Sequence, residues 1–133
     1  MNHPKREIIQ GLITAINTVL PARTVYTVPP KDTPYPYLYL HEEISEEIGS
    51  KEEYIWECEY TIEVLHRDIS SIDDILSDTE AILSIIKNSP DDITVTGYSV
   101  IEVNLVNTSQ EEQLQNSYRI DIELIRIRIT LNE

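Results

Sequence analysis

The sequence predicts an α+β domain: a mostly antiparallel sheet of about four to five strands with two helices packed on one face, in the order α-β-β-β-α-β-β. Three observations predict it. Two stretches repeat their apolar residues at three- and four-residue spacing, which puts them on one side of a helix. Other stretches alternate apolar and polar residue by residue, the period of a half-buried strand. The links between alternating stretches are hairpin-length, and such links join antiparallel neighbours.

The first helical pattern runs from Pro4 to about Leu20, with Ile8, Ile9, Leu12, Ile13, Ile16, Val19 and Leu20 on one face. Pro4 suits the first turn, where a missing N–H costs nothing, and Pro21 ends the helix. TVYTV, residues 24–28, reads as a short strand, and PPKDTP after it as a rigid connection. In TPYPYLYL, residues 33–40, two prolines precede the strand, because proline is tolerated only where pairing has not begun. Tyr35–Pro36 is the first candidate for a cis peptide. With a strand over 37–41, Leu38 and Leu40 face the core while Tyr37, Tyr39 and His41 share the other side.

Residues 41–53, HEEISEEIGSKEE, are acidic, with Ile44 and Ile48 as their only apolar members; they read as an extended arm or long hairpin tip. EEYIWECEYTIEVLHRD is the clearest strand. Tyr54, Trp56, Cys58, Tyr60, Ile62 and Val64 fall on one face, and Glu53, Glu57, Glu59, Thr61 and Glu63 on the other. A second helix opens at Ser71, with Asp73 and Asp74 in the first turn to complement the dipole, and Asn88-Ser89-Pro90 stops it. Strands follow at about 93–107 and 117–131, with QEEQLQN as the polar turn between them. The last strand changes phase. Ile120, Ile122 and Leu124 share one parity and Ile125, Ile127, Ile129 and Leu131 the other. The second half therefore turns to the opposite face, or a bulge near Leu124–Ile125 restores the first.

With 133 residues, 41% of them hydrophobic and 26% charged, residues 1–133 form one globular domain with an ordinary core. No run approaches the ~18 apolar residues of a membrane span, and no membrane partner is expected. The start resembles a signal peptide, but Glu7, Gln10, Gly11, Thr14, Asn17 and Thr18 interrupt it at helical spacing, so a removed leader is not expected. A single cysteine, Cys58, excludes an internal disulfide framework. Ten Lys and Arg against 24 Asp and Glu leave a net charge of −14. Such a chain does not grip nucleic-acid phosphates, since that takes a cationic surface. The acid either keeps the protein soluble or lines a surface past which a polyanion slides.

No reactive cluster emerges. His66 and Cys58 share a strand face but lie too far apart along it to hold one zinc ion unless His41 joins from the neighbouring strand. Three glycines make a phosphate-cradling loop hard to build, and no serine sits in a nucleophile elbow. Asp73, Asp74 and Asp78 lack the spacing of a calcium loop and read as a helix start. Glu53, Glu57, Glu59 and Glu63 form a ladder on a solvated strand face. No catalytic residue, metal or cofactor is expected.

The arrangement as a whole resembles a known family, the tail-terminator or tail-completion proteins of long-tailed bacteriophages. The stretches that carry the resemblance are IIQGLITAINTVL, VYTVPPKDTPYPYLYL, EEYIWECEYTIEVLHRD, IDDILSDTEAILSIIK and the closing RIRITL, which together span nearly the whole chain. HEEISEEIGS departs from the family by its acidity. The resemblance implies a non-enzymatic virion protein, assembled in the host cytoplasm. It forms a ring with itself, typically a hexamer, on the last ring of the tail-tube protein and meets the head–tail connector, while DNA passes through the lumen without specific binding. Subunit-interface candidates are then Tyr35, Tyr37, Tyr39, Ile44, Ile48, Arg119, Arg126 and Arg128. The carboxylates of Glu53, Glu57, Glu59 and Glu63 line the lumen or pair with those arginines across a boundary. For the tyrosines, covering the sheet's own second face is the equal alternative. A neck or stopper protein of the same virion is the second functional reading, and a monomeric cystatin-like binding module the third.

Overall fold

The computed structural model describes residues 3–49, 54–88, 92–115 and 117–132. It contains α1 (Lys5–Val19), β1 (Val25–Tyr26), β2 (Tyr37–Glu47), β3 (Ile55–Arg67), α2 (Asp73–Lys87), β4 (Ser99–Gln115) and β5 (Tyr118–Asn132). The α+β class and the element order are those predicted. The five strands form one sheet in the order β1-β2-β3-β5-β4; every pairing is antiparallel except the short parallel one between β1 and β2. No helix among the described residues is long and apolar enough to cross a membrane.

Pro4 accepts the first helical N–H, from Ile8, and the chain leaves α1 at Leu20 just before Pro21. The Ser71 hydroxyl accepts the Asp73 N–H at 3.2 Å, so the predicted cap sits two residues before α2 begins. Both helices lie on one face. Ile8, Leu12 and Ile16 of α1 and Ile75, Ile82 and Ile85 of α2 join Leu38, Leu40, Tyr60, Ile62, Val64, Ile125, Ile127, Ile129 and Leu131 of the sheet in one core. At roughly 1.5–3 kcal/mol for each such side chain removed from water, this core is the main stabilising term of the fold.

Four features depart from the sequence reading. Residues 42–47 continue β2, because a bulge at Glu42–Ile44 keeps the strand paired to β3 as far as Trp56. Residues 93–98 are not strand: Ile93 and Val95 are buried in a connection, and Gly97, at φ 84°, turns it into β4. QEEQLQN is not a turn; Gln110–Gln115 pair with Tyr118–Glu123 as the far half of β4. TVYTV contributes only Val25 and Tyr26 to the sheet. Glu53 and the Ser89-Pro90 helix stop lie outside the described residues.

The phase change in β5 resolves without a bulge, since β3 and β5 keep unbroken register from Ile55↔Asn132 to Arg67↔Ile120. Ile125 onward therefore faces the helices, while Ile120, Ile122 and Leu124 face the other side. There Ile120 and Ile122 bury with Leu65 beneath Tyr35, Tyr37, Tyr39 and Tyr118. The sheet thus has a second, smaller core on its uncovered face. The Tyr35–Pro36 peptide that leads into it is cis.

Gly11 marks the closest approach of α1 to the 93–96 connection: a Cβ there would overlap the Thr94 carbonyl oxygen. Gly11→Ala gains about 1 kcal/mol of helix propensity but forces two backbones apart, so a net loss of about 1–2 kcal/mol is expected. Urea denaturation checks it, as a lowered midpoint with an unchanged slope.

Candidate functional site

Among the described residues no strand pairs with the outer side of most of β2 or with the outer side of β4. On one side β1 covers only Leu38 and Tyr39, and no further strand among the described residues pairs with the outer side of β2. On the other side lies the whole 17-residue β4. Val103 is its one buried residue and Val100 is half-buried; all the others are exposed, including Ile101, Leu105, Val106 and Leu114. Neither helix reaches its far half, so Thr108, Gln110 and Glu112 on the helix side are as exposed as the residues on the other face. Unpaired strand borders are normally blunted by proline, lysine, short length or twist. β4 has neither proline nor lysine, and only two bulges, at Val100–Glu102 and Leu105–Asn107, interrupt it.

The second face carries most of the predicted site residues. Tyr35 and Tyr37 meet at a tilt with ring centres 5.1 Å apart, and Tyr26 meets Tyr37 edge-on at 5.7 Å. Burial, and then Tyr35, pushes the Tyr37 phenol up to about 12. These tyrosines cover the sheet's own second core yet stay half-buried, so their outer rims remain accessible. Arg67 closes one end of the cluster, its guanidinium 4.0 Å above the Tyr118 ring. Further along the face, His41 sits between two carboxylates, with Nδ1 3.0 Å from Glu43 and Nε2 2.8 Å from Glu63.

Arg128 lies 3.6 Å from both Glu57 and Glu59, so these three predicted boundary residues already meet inside one chain. Such half-exposed pairs contribute roughly 0–1 kcal/mol. Arg119 projects to the helix side, where its Nε donates to Asp121 at 2.9 Å, and its backbone is pinned by Asp68. Arg126 is exposed and makes no ion pair among the described residues. Ile44 and Ile48, near the end of the β2–β3 hairpin, are 54% and 48% exposed, and Tyr54, the residue before β3, is also exposed.

One buried cluster escaped the sequence reading. Asp78 is 4% exposed; its Oδ2 lies 2.8 Å from His66 Nε2 and accepts from Arg23 Nε at 2.8 Å. Burial pushes the Asp78 carboxyl up, but the hydrogen bonds from His66 and Arg23 outweigh it and hold the group below its ordinary value. The signal was present: Asp78 lies in the inward stripe Ile75, Asp78, Ile82, Ile85, where an acid needs a partner. His66 and His41 project from opposite sheet faces. Among the described residues no three His, Cys, Asp or Glu side chains are placed to hold a metal ion.

Glu123 is the converse case. It is buried on the helix side, where Gln110 hydrogen-bonds to it, and among the described residues its Oε2 has no partner. Burial raises its carboxyl above the ordinary value, so its contribution to stability is full in acid and is lost as pH rises through the raised value. Glu123→Gln is expected to stabilise the fold by about 1 kcal/mol at neutral pH. The gain should vanish below about pH 4, where the unfolded carboxyl is protonated too. Thermal melts of both proteins across pH check it.

No protein-family model and no curated protein matches the sequence. The fold is matched among solved structures. A chain of the virion of a native gene transfer agent particle superposes with a TM-score of 0.67 over 98% of this chain and 92% of that one, at 12% identity. At that identity the likeness shows a shared fold.

Proposed function

We propose that this chain is a virion structural protein that closes a tail tube and joins it to the head connector, acting as a hexameric ring of its own copies. One observation carries the reading: a small sheet whose two outer strands meet no further strand among the described residues, with Ile44 and Ile48 exposed near a hairpin end, in a fold that also occurs in the virion of a gene transfer agent particle. The subunit contact uses Ile44 and Ile48 against the outer rims of Tyr35, Tyr37 and Tyr39 on the next copy. Arg126, which makes no ion pair among the described residues, meets the neighbour's carboxylates and sets register more than it stabilises. The end of the β2–β3 hairpin, with Ile44 and Ile48, acts as the arm that crosses the boundary.

The carboxylate ladder of Glu57, Glu59 and Glu63 faces the lumen. Arg128 neutralises only part of it, so DNA phosphates are repelled and pass without sticking. No catalytic group is needed for this role, and the partners are the tail-tube protein, the connector and further copies of the chain. The test is to add the chain to assembling tail-tube subunits of the same virus and image the products by negative stain. Rings on tubes of limited length are expected. Unrestrained tubes with no added density would contradict the reading, and density only on portal-side rings would make the chain a neck protein instead.

A further inference from the structure

We propose that a recess beside the first turns of α1 receives the end of the β4–β5 hairpin of the next copy, through ion pairs of Lys5 and Arg6 with Glu111 and Glu112. This second subunit contact rests on the ring reading above. The recess has a volume of about 830 Å³ and is lined by Lys5, Arg6, Glu7 and Ile9 of α1 with Thr27 and Glu42. Lys5 and Arg6 are exposed and make no ion pair among the described residues. Glu42 is already engaged: it accepts from the Tyr60 hydroxyl at 3.0 Å and lies 4.0 Å from His3. Two uncommitted cations therefore face one uncommitted acid, Glu7.

The register of the strands selects the occupant, because it gives the sheet two distinct ends. At the first, β2 and β3 run out beyond Glu47↔Trp56. His3, which also lines the recess, packs edge-on against Trp56 with ring centres 5.0 Å apart, so the recess lies toward this end on the helix side. At the second, β4 and β5 run out at Gln115↔Tyr118, and Tyr118 joins the tyrosine cluster there. Glu112 and Leu114 sit opposite Asp121 and Arg119 and share their helix side, with Glu111 next to them on the strand. Leu114 is 79% exposed.

A head-to-tail ring sets the first end of one copy against the second end of the next. The contact of Ile44 and Ile48 with the tyrosine rims already does so on the uncovered face. Across the helix side of the same boundary, the recess meets Glu112 and Leu114. The signs are opposite, and Leu114 has apolar surface to join in Ile9 and in Val28, which follows Thr27 and is 82% exposed. The net charge gives this pairing its use. Copies at −14 repel one another, so ion-pair attraction between them must come from cations not spent inside the chain. Lys5 and Arg6 are two of these.

The experiment compares K5E/R6E, E111K/E112K and wild type, all four positions being exposed, by sedimentation velocity over a concentration series. Each variant alone is expected to associate about tenfold more weakly than wild type. An equimolar mixture of the two should regain wild-type association, since alternating copies restore opposite signs at every boundary. General charge repulsion predicts the reverse for E111K/E112K, whose net charge is smaller and which would then associate more tightly. Carbodiimide treatment of mixed isotope-labelled and unlabelled wild type should join Lys5 of one copy to Glu111 or Glu112 of another. Wild-type association of either variant alone, tighter association of E111K/E112K, or no recovery on mixing would overturn this contact and leave the ring standing. So would binding of a DNA oligonucleotide that K5E/R6E loses while its self-association is unchanged, which would give the recess to a phosphate chain. Wild type that remains a single chain throughout would overturn the contact and the ring together.

Discussion

Asp78→Ala is expected to cost about 3–5 kcal/mol, the range for removing one partner of a buried ion pair. Asp78 ties three parts of the chain together: its own helix α2, His66 at the end of β3, and Arg23 in the link between α1 and β1. Its removal leaves the His66 ring, 7% exposed, without its acceptor and Arg23 without its counter-charge. For a chain of this size the loss corresponds to a fall in melting temperature of about 10–18 °C. The pH dependence has a definite sign. A carboxyl held below its ordinary value stabilises the fold above about pH 4, and that contribution is lost as pH falls through the depressed value. The gap between wild type and Asp78→Ala should therefore narrow in acid. Melts followed by circular dichroism at pH 7 and pH 3 measure both effects, and equal gaps at the two pH values would remove the ion pair from the explanation.

Ile44→Asp combined with Ile48→Asp is expected to abolish self-association while leaving the monomer's stability within about 0.5 kcal/mol, because both side chains are half exposed at the end of a hairpin. Placed at a subunit contact, the same change buries two carboxylates against tyrosines. That weakens association by about 4 kcal/mol or more, roughly a thousandfold. Sedimentation velocity of wild type and variant over a concentration series reads the difference. An unchanged distribution would free the β2–β3 hairpin from any part in assembly.

How much of this was legible in the sequence depended on which elements had one wet face and one dry one. β3 could be read nearly to its ends because its alternation follows burial: Cys58, Tyr60, Ile62 and Val64 face the helices, and Glu57, Glu59 and Glu63 face solvent. The far half of β4 was hidden for the opposite reason. A border strand exposed on both faces has no hydrophobic period, so Gln110–Gln115 look like a turn and are ordered only by their ladder to β5. The continuation of β2 was obscured by its bulge, which puts Ile44 on the opposite face from Leu38 and Leu40 although it shares their parity. Asp78 was misassigned because acids near a helix start have a sufficient local reason to be there, and only its inward stripe position separates it from Asp73 and Asp74. The phase change of β5 was visible, but choosing between its two outcomes needed the unbroken register with β3. The tyrosines of TPYPYLYL cover their own sheet and still expose their rims, which is the shape expected of side chains shared between a fold and a contact.

The most direct test of assembly between copies is the mass of the isolated chain in solution, by light scattering at high concentration with and without tail-tube protein. The account predicts a defined multiple of 15.4 kDa, sixfold for the closed ring. A mass of one chain under both conditions would contradict it.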